Sequence, residues 1–196
     1  MFTGIVAGVG RITRVEPRDK GLRLTIGAGA VPLAEVGLGD SIAVNGVCLT
    51  VIAKTDRTFD VDVSQETIDC TVGLGGPGEV NLEKALTLAD RLGGHLVTGH
   101  VDGVGSVVKF EPVGESYLLR IRAPDDLARY IARKGSVTVQ GTSLTVNRVE
   151  GAEFDINLIP HTLAVTTLGQ LHAGAKVNLE VDLVARYVER LLAARE

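Results

Sequence analysis

Tryptophan is absent from the 196 residues, and phenylalanine and tyrosine together number only seven. A core of bulky aromatic rings is therefore excluded. No apolar run approaches the ~20 residues that a membrane span needs, and the first residues lack the basic-then-apolar pattern of a signal peptide. The chain reads as cytoplasmic, without a membrane partner. Lys and Arg number 20 against 24 Asp and Glu, a formal charge of −4, and no stretch gathers enough cations to track a phosphate backbone. Nucleic acid is a poor partner for such a surface. The two cysteines, Cys48 and Cys70, are too few for a disulfide framework and read as free thiols. Nucleophile elbows, HExxH helices and Walker loops are also missing. GLGGPG at 73–78 spells GxGxxG, but it precedes a strand-like EVNLE and is interrupted by Pro77, so it does not open a helix over a dinucleotide. His95 and His100 have no third ligand at a suitable spacing, and no metal or other cofactor is expected.

What is present is an ordinary folded composition, 45% hydrophobic and 22% charged, with 24 glycines. That is roughly 12% glycine against an average near 7%, which favours many tight turns. The glycines fall in a repeat. TGIVAGVG at 3–10 and TGHVDGVG at 98–105 agree at six of eight positions, 95 residues apart. The same offset relates SIAVNGVCLTV at 41–51 to SVTVQGTSLTV at 136–146, and Phe59-Asp60 to Phe154-Asp155. After Thr67 and Thr162 the register slips by two, so that VNLEKAL at 80–86 meets VNLEVDL at 177–183. Blocks kept in one order mark a duplication, two copies of a fold of about 95 residues.

Each copy reads as mostly β. β-Branched or alternating runs recur at Ile5–Thr13, Arg23–Ile26, Ser41–Val51, Thr58–Val63 and Glu79–Leu82, between Gly-rich or polar turns. Such spacing suits a small antiparallel barrel or sandwich. Val31–Val36 and Asp125–Arg133 read as short helices packed on the barrels, the second with Leu127, Tyr130 and Ile131 on one face. Leu183–Arg195 differs: Leu183, Val184, Tyr187, Val188, Leu191 and Leu192 form one apolar stripe of a helix. The stripe either covers its own barrel or pairs with the same helix of a neighbour.

The remaining chemistry lies in TG(I/H)V and (N/Q)G(V/T)(C/S)LTV. Glycine lets backbone approach a flat ring, and free N–H and C=O groups can pair with the edge of a heterocycle. The alternative is structural: Gly46 and Gly141 mark bulges, and Thr50 and Thr145 are ordinary strand threonines. The copies differ where reactive groups would sit. Ile5 becomes His100, Ala7 becomes Asp102, Cys48 becomes Ser143, Gln65 becomes Pro160 and Glu66 becomes His161, while the surrounding glycines and threonines stay. Two alike sites that treat two flat molecules differently describe a reaction between two copies of one substrate.

Taken together, MFTGIV, GDSIAVNGVCLTV, GGHLVTGHVDG, KGSVTVQGTSLTVN, IPHTLAVTTLG and VNLEVDLVARYVERL closely resemble the riboflavin synthase family of lumazine-binding repeats, over nearly the whole chain. The resemblance implies an all-β fold with short helices, two tandem six-stranded antiparallel Greek-key barrels over 1–92 and 93–184, and a C-terminal oligomerisation helix over 185–196. It implies a homotrimer with active sites between subunits. The activity implied is dismutation of two 6,7-dimethyl-8-ribityllumazine molecules by four-carbon transfer, giving riboflavin and 5-amino-6-ribitylaminouracil without an external cofactor.

Carried over by motif, the first site would use Gly4, Ile5, Val6, Cys48, Leu49 and Thr50, with Asp62, Val63, Ser64, Gln65, Glu66 and Thr67 around the ribityl chain. The second would use Gly99, His100, Val101, Lys134, Ser143, Leu144 and Thr145, with Asn157, Leu158, Ile159, Pro160, His161 and Thr162. Ser41, Cys48, His100 and Ser143 are the candidates for chemistry, with Asp182 behind the site. His100 has an intrinsic pKa suited to proton transfer, and Cys48 suits a nucleophilic role as thiolate. Gln140 and Thr142 depart from the acidic and aliphatic residues usual in the family. A non-catalytic relative that holds a lumazine or flavin as a fluorescent antenna is the alternative. Such a protein needs one competent site, whereas both halves here keep their motifs.

Overall fold

The computed structural model describes residues 1–193. Twelve strands close into two antiparallel barrels of six. In the first, β1 (Gly8–Arg18), β2 (Gly21–Gly27), β3 (Ser41–Val44), β4 (Val47–Lys54), β5 (Thr58–Ser64) and β6 (Gly78–Lys84) run around the wall in the order β1-β2-β5-β4-β3-β6. In the second, β7 (Gly103–Val113), β8 (Ser116–Arg122), β9 (Ser136–Val139), β10 (Thr142–Glu150), β11 (Glu153–Leu158) and β12 (Lys176–Val181) repeat that order. Equivalent bulges, at Ile12/Arg14 and Val107/Lys109 and again at Val51/Ala53 and Val146/Arg148, bend the same strands in both barrels. Closure leaves no open sheet edge among the described residues.

Alternation fills the barrels. Along β5, Phe59, Val61 and Val63 point inward among Ile12, Leu24, Ile26, Val51 and Leu82. Phe154, Ile156 and Leu158 do the same in the second barrel. Each such side chain contributes about 1.5–3 kcal/mol through removal from water, and a buried phenylalanine among aliphatic residues fills each barrel where tryptophan is absent.

The run read as one strand over Ser41–Val51 folds back on itself. Asn45 (φ 48°) and Gly46 (φ 82°) form a two-residue turn between β3 and β4, and Gln140 (φ 49°) and Gly141 (φ 78°) do so between β9 and β10. Positive φ at both central positions is the hairpin geometry that matches strand twist. These Gly pairs therefore mark turns and not bulges.

The two turn tips meet, and a Cβ on Gly46 would stand 2.8 Å from the Gly141 nitrogen. Around this contact Asn81 Nδ2 donates to the Gln140 carbonyl (2.9 Å) and Asn178 Nδ2 to the Asn45 carbonyl (3.0 Å). Their side-chain oxygens accept from Thr167 N–H and Val72 N–H, both at 2.8 Å. The duplication is thus also a local two-fold relation in space.

Helices depart from expectation. Val31–Val36 is an irregular turn segment in which Val31, Leu33 and Val36 are all buried on the first core. A helix would turn one of those faces outward. Over Asp125–Arg133 only a 3-10 turn forms, at Ala128–Tyr130, with Leu127 and Ile131 buried. Two short helices went unread. α1 (Gln65–Cys70) starts where the Ser64 hydroxyl accepts from Thr67 N–H, and α2 (Pro160–Val165) starts on Pro160.

The terminal helix α3 spans Leu183–Ala193; the last residues of the expected span, 194 and 195, lie outside the described residues. Its stripe of Val184, Tyr187, Val188, Leu191 and Leu192 is exposed, while its other side is tied to the second barrel by Arg186–Asp102 (2.8 Å) and Arg129–Glu189 (2.7 Å). Among the described residues no helix is long and apolar enough to cross a membrane.

Candidate active site

Two clefts carry the motif residues, and each is built from both halves of the chain. The first, of about 260 Å3, is lined by Val47, Cys48, Glu66, Thr67, Cys70 and Thr71 of the first barrel together with Gly99, His100 and Val101. The second, of about 150 Å3, is lined by Thr142, Ser143, His161, Thr162, Val165 and Thr166 of the second barrel together with Gly4, Ile5 and Val6. The grouping expected from the sequence, each TG(I/H)V with its own barrel, is exchanged: within one chain each segment serves the opposite barrel.

Backbone geometry dictates the exchange. An antiparallel bridge joins Phe2 to Val97 between the two segments. Beyond it, Cys48 N–H donates to the Gly99 carbonyl and Ser143 N–H to the Gly4 carbonyl, both at 2.8 Å. Gly99 (φ +78°) lies against Cys48 so closely that a Cβ would stand 2.7 Å from its Cβ, and Gly4 (φ +75°) meets the Ser143 Cβ at 2.6 Å in the same way. Both positive φ and close approach require glycine here.

Two buried glutamates hold these segments. Glu83 accepts from Thr3 N–H (2.7 Å), the Thr3 hydroxyl (2.8 Å) and Gly4 N–H (3.0 Å). Glu180 accepts from Thr98 N–H (2.7 Å), the Thr98 hydroxyl (2.7 Å) and Gly99 N–H (2.9 Å). Burial pushes the Glu83 carboxyl above its usual range, and those donors pull it back. Neither glutamate was singled out from the sequence. The signal was there: the fourth letter of VNLE is acidic in both copies, inside a strand that is otherwise buried.

The second cleft holds a further polar chain. His95 Nδ1 lies 2.7 Å from Ser143 Oγ, and His95 Nε2 lies 3.4 Å from the buried Thr138 hydroxyl. Burial holds the imidazole below its ordinary pKa, opposed by the charges of Asp182 and Glu180. The Thr142 hydroxyl, on the lining of this cleft, is buried with no partner among the described residues. In the first cleft the Cys70 thiol donates to Glu66, which raises its pKa.

Other candidates are scattered. Thr50 lies exposed opposite Ser41, and Thr145 opposite Ser136. Leu49, Val63 and Leu158 are buried in the barrel cores, and Leu144 packs against the second. Asp62 is paired to Arg23 at 2.7 and 2.8 Å, Gln65 donates to Asp69, and Asn157 is exposed opposite Leu118. Ile159 and Pro160 open α2. Lys134 (φ 67°) is exposed below β9, its N–H bonded to the Val146 carbonyl. The Asp182 carboxylate accepts from Val184 N–H at the start of α3.

Ser41 opens on a separate depression beside Asp40, Lys84 and Thr87. That depression adjoins a roomier one, of about 340 Å3, against Glu35, Leu86, Asp90 and Arg91. The roomier one lacks a thiol or imidazole on its lining among the described residues, so the chemistry points to the smaller pair of clefts.

The Lumazine binding domain family matches the chain twice, at residues 3–85 and 98–182. The riboflavin synthase of Mycobacterium tuberculosis is 50% identical over 98% of this chain and 98% of its own, and that of Brucella abortus 46% identical over 97% and 98%. The riboflavin synthase of Photobacterium phosphoreum is 44% identical over 98% of this chain and 89% of its own. Among solved structures, LumP complexed with riboflavin superposes with a TM-score of 0.80 at 29% identity, over 92% of this chain and 99% of that one. LumP complexed with 6,7-dimethyl-8-(1'-D-ribityl) lumazine gives 0.79 at 27% identity over the same shares. A duplicated lumazine-binding fold, found twice in the chain and shared along its length with these enzymes, places it in the riboflavin synthase family.

Proposed function

We propose that the chain catalyses the dismutation of two 6,7-dimethyl-8-ribityllumazine molecules to riboflavin and 5-amino-6-ribitylaminouracil. The observation that carries this is the pair of clefts, alike in backbone and different in reactive groups: Cys48 with His100 in one, Ser143 with His161 in the other. One lumazine loses a proton from its 7-methyl group and becomes the carbanion-like donor. The other is attacked at C7.

Holding both rings in stacking register makes the encounter effectively intramolecular, an advantage of about 7–11 kcal/mol at best. In this reading Cys48, His100, Ser143 and, more remotely, Ser41 take part in the chemistry, and the α1 and α2 segments flank the ribityl chains. The chain divides into barrels over 1–92 and 93–184 and an assembly segment over 185–196, and each barrel becomes a catalytic unit only with the leading segment of the other.

Each cleft is smaller than the roughly 300–1,000 Å3 usual for sites that enclose a ligand of this size. That supports an active site completed by a neighbouring subunit, with one substrate on the first barrel of one chain and the other on the second barrel of the next. The exposed stripe of α3 supports a homotrimer gathered through that helix. A cytoplasmic location fits the small intracellular metabolites involved.

Incubation of the pure protein with 6,7-dimethyl-8-ribityllumazine alone tests the reading by riboflavin fluorescence. Steady formation of riboflavin is expected. Tight binding of the lumazine without product would instead make the chain a non-catalytic antenna, and its fold likeness to LumP complexed with that lumazine allows such binding.

A further inference from the structure

The two clefts differ in what stands behind the reactive group. Ser143 faces Thr138 across the β9–β10 ladder, and His95 bonds to both: 2.7 Å from Nδ1 to the Ser143 Oγ, 3.4 Å from Nε2 to the Thr138 Oγ1. The equivalent pair in the first barrel is Cys48 facing Ala43, and no histidine bonds the Cys48 thiol among the described residues. Gly94 lies over Ser143, where a Cβ would meet its Oγ at 2.9 Å, so the serine is held between the GGH segment and the cleft. His95 itself is buried and does not line the cleft. It reaches a bound molecule only through Ser143. The charged groups facing it are Glu180, from β12, and Asp182, just beyond that strand.

We propose that His95 is the positioning residue of the second cleft, holding the Ser143 hydroxyl and receiving its proton when the donor lumazine, seated on the second barrel, is deprotonated. This rests on the dismutation reading above. With its proton on Nε2 and directed to Thr138, the imidazole accepts from Ser143 at Nδ1 and leaves the Oγ lone pairs free for the substrate. The 7-methyl C–H bond breaks and its electron pair stays on the lumazine. The proton bonds to Ser143 Oγ, whose own proton moves to Nδ1. The resulting imidazolium faces the carboxylates of Glu180 and Asp182, and the same path run backwards returns the proton in a later step. The first cleft, with Cys48 lacking such a partner, takes the acceptor. The internal duplication therefore assigns the donor and acceptor roles, which the shared scaffold alone leaves equivalent.

The test uses the full chain with 6,7-dimethyl-8-ribityllumazine, comparing His95→Asn, Ser143→Ala and the double variant. Asn keeps a hydrogen bond near the Nδ1 position and cannot titrate. His95→Asn is expected to lower kcat at least tenfold with KM within threefold, and to remove the acidic limb of kcat against pH. In the Ser143→Ala background it is expected to cost less than twofold more, because it acts through that hydroxyl. The exposed His172→Gln leaves both rate and pH profile unchanged. Losses that multiply independently, kcat and KM moving together, or an unshifted acidic limb would each overturn the proposal. If His95→Asn does not fold, His95→Gln is read in the same way, and failure of both to fold makes the residue structural and overturns it as well. Absence of riboflavin with the parent chain would instead sink the functional reading itself.

Discussion

Gly99 and Gly4 show how much a single position constrains. Each has positive φ and lies where a Cβ would press into Cys48 or Ser143 of the opposite barrel. Gly99→Ala is expected to cost about 2–4 kcal/mol, from the left-handed backbone and the overpacking together, read as a lower denaturation midpoint. Glu180→Gln leaves one amide nitrogen facing an N–H donor. It should lose about 1.5–3 kcal/mol and loosen ligand binding at the first cleft, which calorimetry and lumazine titration would separate. Cys48→Ala and His100→Ala should lower turnover about tenfold or more while changing lumazine affinity less than threefold. Equal losses in both would reduce either residue to uniform binding. The glycines, Cys48, His100 and Ser143 were legible as residues because the repeat displays them. Their partners were not, because Gly99 meets Cys48 only through a crossing that no spacing encodes. Glu83 and Glu180 were legible only as letters in a repeated strand.

Strands were easier to read than helices. Alternation and β-branching mark a wall buried on one side, and the internal repeat gave each strand a second witness. The hairpin at Asn45-Gly46 was hidden in a continuous apolar run, although Asn-Gly is itself a strong turn signal. Val31–Val36 looked helical, yet Val31, Leu33 and Val36 all plug the same barrel end, which an irregular turn segment allows and a helix does not. Between β8 and β11, the Arg120–Asp155 pair at 2.6 and 2.9 Å lowers the Asp155 pKa through its hydrogen bonds and then through charge. A carboxyl with a depressed folded-state pKa contributes stability above its unfolded value and loses it as pH falls through the folded one. Asp155→Asn should therefore destabilise by about 1 kcal/mol at pH 7. The gap to the parent should close on acidification through and below the ordinary carboxylate range, followed by urea unfolding at several pH values.

At the scale of the molecule, the Asn45–Gln140 tips, the paired asparagines and the bridged leading segments bind the barrels into one body. A single cooperative unfolding transition is expected by calorimetry, where two separable barrels would give two. Removal of residues 183–196 takes away the exposed stripe of α3. Under the proposed trimer it should leave monomers in sedimentation analysis where the parent sediments as a larger species, and abolish turnover, while near-native circular dichroism survives. The boundary that looks natural along the chain, near residue 92, is not a boundary in space. The sequence repeats by barrels, but each cleft is made of a barrel plus its sibling's leading segment. Each half carries a wall of the other's cavity, so a substitution in either leading segment is felt in the opposite barrel's cleft.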